Sequence, residues 1–273
     1  MTTLYVTDLD GTLLRGDKTV SDYTIATLNA RIAQGMLFSV ASARGPIGLR
    51  MLPLDALKFR LPLVLLNGAL LYNAAEGTIV QACSWSEATA QAVIACCCAA
   101  GKPPILYHVR DQRQYVAYRE TTSPGERRFL HDRLPRFPDE FEQVEAYPVQ
   151  NAIYISVQDR EERLRPLYAR LTALPGVAAV LYKDNYAPDN WYLEAFSDRA
   201  GKAGGVGRLR ALTGAQRVVA FGDNLNDLPL FAAADVACAV ANALPAVREA
   251  ADVIIASNDE DGVARYLEAV GEG

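Results

Sequence analysis

The chain has 273 residues, 51% of them hydrophobic and 22% charged, with a formal net charge of −5, the make-up of a globular protein longer than one ordinary domain. The acid excess argues against nucleic acid as the main partner. Without an N-terminal leader-like segment or an apolar run near the roughly 18 residues of a spanning helix, no membrane association is expected.

In chain order, Leu4–Thr7 reads as a buried strand that closes on Asp8-Leu9-Asp10-Gly11-Thr12. Side chains at i and i+2 of a strand share a face, and two carboxylates there repel unless a cation or a separation of their pKa values relieves them. The pentapeptide alone is equally well a strand running into a plain Asp-Gly bend. A helix capped by Ser21 or Asp22 runs to about Gln34, and Gly35 ends it. Met36–Val40 is a second strand, leading into Ser42-Ala43-Arg44-Gly45; a helix to about Phe59 and a third strand, Leu63–Leu66, bring the chain to Asn67-Gly68.

Near residue 82 the pattern changes. Ser84 and Glu87 have capping-box spacing and open an Ala-rich helix to about Ala100, followed by a hairpin of Ile105–Val109 and Tyr115–Tyr118. Glu120 to Pro148 reads as loop with one short helix. Ala152–Val157 is a strand, Asp159 and Glu162 suggest a second capping box for a helix to Ala173 with a kink or later start at Pro166, and Val177–Leu181 and Trp191–Ala195 are strands. The strand–helix alternation then resumes: a helix from Lys202, strand Arg217–Phe221, helix Leu225–Ala234, strand Val236–Val240, a helix around Ala246–Ala250, strand Val253–Ile255 and helix Gly262–Ala269. The expected architecture is α/β, a doubly wound parallel sheet of residues 1–81 and 190–273 interrupted by an inserted α+β domain of residues 82–189.

On such a sheet ligands bind beyond the carboxyl ends of the strands. Asp8 and Asp10, Ser42, Asn67, Lys202, and Gly222-Asp223 with Asn226 and Asp227 all fall at strand ends or the helix starts that follow them. Asp8, Asp10 and Asp223 offer hard oxygen ligands suited to Mg²⁺ rather than zinc. Lysine is scarce, limited to Lys18, Lys58, Lys102, Lys183 and Lys202, and a lysine opening a helix opposes the helix dipole; both observations favour a functional role for Lys202. A hydroxyl, an ammonium, carboxylates and a cation around one point describe phosphoryl transfer.

Asp8-Leu9-Asp10-Gly11-Thr12, Ser42, Lys202 and Gly222-Asp223 with Asn226-Asp227 resemble, in order, the four motifs of the haloacid dehalogenase superfamily of phosphohydrolases. Asn67-Gly68-Ala69, Asn242-Ala243, Ala251-Asp252-Val253 and Asn258 through Val263 resemble its Cof-type branch, which includes sugar phosphatases and carries a large α/β cap. The resemblance implies a Mg²⁺-dependent phosphatase for small phosphorylated metabolites, sugar phosphates above all. By the same resemblance Asp8 is the nucleophile and Asp10 the proton shuttle. Mg²⁺ is held by the Asp8 carboxylate, the Asp10 backbone carbonyl and Asp223. Ser42, Lys202 and Asn67 meet the phosphate, with Asn226, Asp227 and Arg44 in support. Two departures stand out: Ala43 and Ala203 replace glycines common in the family after the hydroxyl residue and after the lysine.

A phosphomutase shares this chemistry and differs in returning the phosphoryl group to the sugar; a non-catalytic sugar-phosphate sensor would need neither Asp10 nor the large insertion. Five cysteines, an odd number with Cys96, Cys97 and Cys98 adjacent, form no disulfide framework and point to a reducing cytoplasm. With no metal-ligand spacing outside the triplet, they read as small buried hydrophobes. Oligomeric state leaves no mark in the sequence.

Overall fold

The computed structural model describes residues 1–121, 123–184, 187 and 189–270. Its first strand, β1 (Thr3–Thr7), buries Leu4 and Val6 completely, as a central parallel strand covered on both faces must. Helix α1 (Asp22–Ala33) starts at Ser21, whose hydroxyl accepts the Thr24 N–H. Then come β2 (Leu37–Val40) and α2 (Pro46–Leu49). The helix expected to reach Phe59 thus ends ten residues earlier, where Pro53 cannot supply the N–H that another turn needs. β3 (Leu63–Leu65) is not a full member of the parallel sheet. It pairs antiparallel with β4 (Leu70–Asn73), which is followed by β5 (Thr78–Ala82) in a separate three-stranded sheet, and is joined to the parallel sheet by a bridge between Ala41 and Val64.

The inserted unit opens with α3 (Glu87–Ala99), capped by Ser86 rather than by the Ser84–Glu87 box: the Ser86 hydroxyl accepts the Thr89 N–H. β6 (Ile105–Arg110) and β7 (Arg113–Tyr118) form the expected hairpin, and Asp111 and Gln112 both take positive φ, as a two-residue turn of this hand requires. The stretch read as loop with one short helix holds that helix, α4 (Pro124–Arg133), capped by Ser123, and also β8 (Phe141–Gln143), which joins β7 in parallel. β9 (Ala152–Asp159), α5 (Glu161–Thr172), β10 (Val177–Lys183) and β11 (Trp191–Ser197) complete the unit. Asp159 does not cap α5. Its carboxylate is taken by Lys102 and by the Arg160 N–H, so the helix begins one residue later than the spacing suggests and carries Pro166 inside it.

The mixed sheet runs β10-β11-β9-β6-β7-β8. Leu106, Ile155, Val157 and Leu193 from one face pack against Val93 and Cys97 of α3 and Leu164, Leu167 and Leu171 of α5. Cys97 is therefore a core residue, and all five cysteines are free.

The chain returns to the first unit as α6 (Gly201–Thr213), β12 (Arg217–Gly222), a 3₁₀ turn at Leu225–Asp227, α7 (Leu228–Ala233), β13 (Val236–Val240), α8 (Pro245–Glu249), β14 (Val253–Ile255) and α9 (Gly262–Ala269). Five strands in the order β14-β13-β12-β1-β2, every pair parallel, make its sheet. The compact units are residues 1–81 with 202–273, and residues 82–201. The expected return to the parallel sheet at residue 190 is corrected to 202, because β11 pairs antiparallel with both β9 and β10 and lies inside the mixed sheet. Among the described residues no helix is long and apolar enough to cross a membrane.

Candidate active site

β2, β1 and β12 are neighbours, so the residues just past their carboxyl ends converge. Asp8 extends β1 by one residue, its N–H bonding the Phe221 carbonyl at 2.9 Å, while Ala41 N–H bonds the Thr7 carbonyl at 2.9 Å on the other side. Asp8 is 6% exposed and Lys202 3% exposed. In the first turn of α6, Lys202 places its Nζ 2.6 Å from Asp8 Oδ1 and 2.6 Å from Asp227 Oδ1. The second Asp227 oxygen accepts the N–H groups of Asp223 and Asn224 at 3.1 Å each, so this carboxylate both braces the lysine and shapes the turn after β12.

Asp8, Asp223 and Asp227 bring one carboxylate oxygen each within 4.8 Å of one another. Burial pushes the Asp8 carboxyl well above its ordinary value; the Lys202 ammonium opposes this, and Asp227, Asp223 and Asp10 add to it. Asp223 is pushed up to about 7, first by burial and then by Asp227, against the Thr12 hydroxyl and Lys202. Burial alone would lower Lys202, but Asp227 and Asp8 more than offset it and hold the ammonium above the ordinary lysine value. Crowded, part-desolvated carboxylates of this kind gain from a cation. The donors are hard oxygens, and the buried Asn226 Oδ1 lacks a protein partner. The residues present therefore fit Mg²⁺.

The Asp10 carboxylate lies outside this group. Arg44 takes it in a two-pronged ion pair, Nε to Oδ2 at 2.7 Å and Nη2 to Oδ1 at 2.6 Å. Just past Asp10 the chain turns through Gly11, with φ of +78°. A Cβ there would stand 2.3 Å from Asp223 Oδ2, so only glycine lets the turn lie against that carboxylate. Thr12 Oγ1 donates to Asp223 Oδ1 at 3.1 Å.

Ser42 is buried, and its Oγ accepts the Arg44 N–H at 3.1 Å. Asn67 is buried beside it, its N–H on the Ser42 carbonyl at 3.0 Å. Leu66, Asn67 and Gly68 all have positive φ, a strained run for the first residue especially. The Leu66 N–H bond to the Arg44 carbonyl and the Arg208 guanidinium on the Gly68 carbonyl hold that run in place.

A model of the haloacid dehalogenase-like hydrolases matches residues 5–267. The chain belongs to that family. The hydrolase is 24% identical over 287 aligned residues to the 5-amino-6-(5-phospho-D-ribitylamino)uracil phosphatase YitU of Bacillus subtilis, the match covering 97% of this chain and 96% of the relative. In fold it is similar to a haloacid dehalogenase-like hydrolase from Bacteroides thetaiotaomicron, with a TM-score of 0.76 at 23% identity, covering 99% of this chain and 100% of the other. It is also similar to the subclass IIB sugar phosphatase BT4131, with a TM-score of 0.73 at 19% identity and 99% of each chain covered. Within the family the hydrolase is a phosphoric monoester hydrolase of the Cof type, with an inserted mixed-sheet cap.

Neither departure from the family's glycines disturbs the hydrolase's backbone. Ala43 is not among the residues with positive φ, and Ala203 lies within α6, so both positions accept a Cβ. Of the residues singled out from sequence, Asp8, Lys202, Asp223 and Asp227 come together directly, and Ser42, Asn67 and Arg44 form a second connected group that reaches Asp10. Asn226 stands in the 3₁₀ turn between Asp223 and Asp227. Sequence reasoning missed Arg208, which carries no local signal. It had Asn242 and Asn258 only as marks of family likeness; each donates a hydrogen bond to the turn after Asp10.

Proposed function

We propose that the hydrolase removes phosphate from small sugar or polyol phosphates through a phosphoaspartate on Asp8, with Mg²⁺ as cofactor. The observation that carries this reading is the Asp8 carboxylate, buried at the end of β1 between the Lys202 ammonium and Asp223, with Asp10 two residues further on. Asp8 attacks phosphorus as the ester P–O bond breaks, and Asp10 gives its proton to the leaving alkoxide. Asp10 then takes a proton from the water that attacks the phosphoaspartate, whose P–O bond to Asp8 breaks to free phosphate. Lys202 and the Ser42 hydroxyl meet the phosphoryl oxygens, the lysine balancing their charge. Arg44 holds the Asp10 side chain in one rotamer, and Asp227 does the same for Lys202. When bound by Asp8, the Asp10 carbonyl and Asp223, Mg²⁺ offsets the repulsion between two anions, carboxylate and phosphate.

The polyol phosphate in the name of the Bacillus relative and the fold likeness to a sugar phosphatase support the substrate class. The five free thiols support a reducing, cytoplasmic setting. Phosphate release from a panel of sugar and polyol phosphates, and from p-nitrophenyl phosphate, with and without Mg²⁺, tests the reading. Asp8→Asn should abolish turnover. Asp10→Asn should slow alkyl esters far more than the nitrophenyl ester, whose leaving group needs no proton. Turnover that survives Asp8→Asn would refute the mechanism, and uniformly weak release across the panel would refute the substrate class.

A further inference from the structure

Two asparagines from distant loops grip the turn that follows Asp10. Asn242, just past β13, donates from Nδ2 to the Gly11 carbonyl at 2.8 Å. Asn258, just past β14, is buried and donates from its own Nδ2 to the Leu14 carbonyl at 2.8 Å. The two are joined, because the Asn258 backbone N–H donates to Asn242 Oδ1 at 3.0 Å. An N–H can meet only the oxygen of an amide, so this bond fixes the Asn242 amide with Nδ2 toward Gly11. Within the turn, the Leu9 carbonyl accepts the N–H groups of Thr12, Leu13 and Leu14 at 3.3, 3.1 and 2.8 Å. The asparagines, Thr12 on Asp223 and the Arg44 pair on Asp10 tie it to the segments beside it.

We infer that Asn242, braced by Asn258, is a positioning residue that sets the Asp10–Gly11–Thr12 backbone against Asp223. This inference rests on the phosphatase reading above. The Gly11 carbonyl belongs to the peptide that follows Gly11, and the Asp10 carbonyl to the peptide before it. Holding the first, with Gly11 pressed on the Asp223 carboxylate, leaves the second little freedom to rotate. The clamp thereby keeps the Asp10 carbonyl and the Asp223 carboxylate at a constant separation. An error of about 1 Å in such an arrangement is enough to cost about 100-fold in rate.

Asn242→Asp keeps the size and the acceptor for the Asn258 N–H but loses the donor to Gly11. Asn242→Ala loses both without adding charge. Hydrogen exchange of the Thr12–Leu14 amides should quicken at least tenfold in both variants while amides of β12 and β13 keep wild-type rates. Calorimetric titration of Asn242→Ala with Mg²⁺ alone should show affinity about tenfold weaker, and kcat for p-nitrophenyl phosphate should fall about tenfold with KM within twofold. Wild-type exchange at Thr12–Leu14 in Asn242→Asp would overturn the inference. So would faster exchange spread evenly over the whole unit, which is what simple loss of stability gives. Exchange and Mg²⁺ affinity are read without turnover, so an inactive wild-type protein would refute the phosphatase reading while these two measurements still decide the clamp.

Discussion

Replacing Asp223 by Asn should stabilise the metal-free protein, and the gain should depend on pH in a set direction. The Asp223 carboxyl titrates at about 7 in the folded protein against an ordinary value of 3.8, chiefly because of burial and the neighbouring Asp227. A raised carboxyl pKa means that the folded state binds the proton more tightly than the unfolded chain. Folding stability therefore falls as pH rises from 3.8 to about 7 and stays low above that. The gap sets a ceiling of about 4 kcal/mol, and partial exposure with sharing of the proton among neighbouring acids brings the expected penalty to about 2 kcal/mol. Asn is isosteric, carries no charge, and still accepts the Thr12 hydroxyl. In EDTA at pH 8 the variant should melt about 4–8 °C above the wild type, the two converging near pH 4. Mg²⁺ should raise the wild-type melting temperature and leave the variant nearly unmoved. A stability difference that does not change between pH 4 and pH 8, or a variant that melts lower at pH 8 without metal, would refute the view that Asp223 is an acid held against its preference for want of a cation.

Arg44→Ala removes both prongs of the ion pair on Asp10, so kcat for alkyl phosphates should fall about 10- to 100-fold, in the range of general acid–base catalysis, and less for p-nitrophenyl phosphate; equal losses on both esters would place Arg44 on the phosphate instead. Gly205→Ala would put a Cβ 2.4 Å from Val64 Cγ1 and 2.9 Å from Gly68 Cα. Because α6 carries Lys202 at its start, the variant should lose about 1–3 kcal/mol in denaturant unfolding together with turnover, whereas Gly207→Ala, with nothing within 4 Å, should do neither.

The parts of the site that could be read from sequence are those that a buried parallel strand writes locally. β1, β2 and β12 are short apolar runs because both faces of their sheet are covered, and each run ends in a polar step. Asp8, Ser42 and Asp223 stand out as the first polar groups beyond such runs. The local pattern puts the second junction of the inserted unit too early because β11 also is a short strand followed by a polar step, Asp198-Arg199. What assigns it to the mixed sheet is its pairing with β9 and β10, and pairing across a loop leaves no local mark.

The links between site residues lie further out of reach, since each is a contact between segments that only the fold brings together. Arg44 meets Asp10 across 34 residues, Lys202 meets Asp8 across 194 and Asn242 meets Gly11 across 231. A spacing rule catches residues that share a turn or a strand face, so it finds the pair Asp8 and Asp10 but not what surrounds each of them. Their partners set them apart. Lys202 faces Asp8 from the start of α6, and Arg44 faces Asp10 from the loop after β2, so two carboxylates two residues apart meet different cations. The turn that follows Asp10 is held by Asn242 and Asn258, from loops that follow the two outermost strands on that side, β13 and β14. The surroundings of Asp8 are thus built by chain segments spread along the whole first unit, which is why the residue types could be listed from sequence while their contacts had to come from the fold.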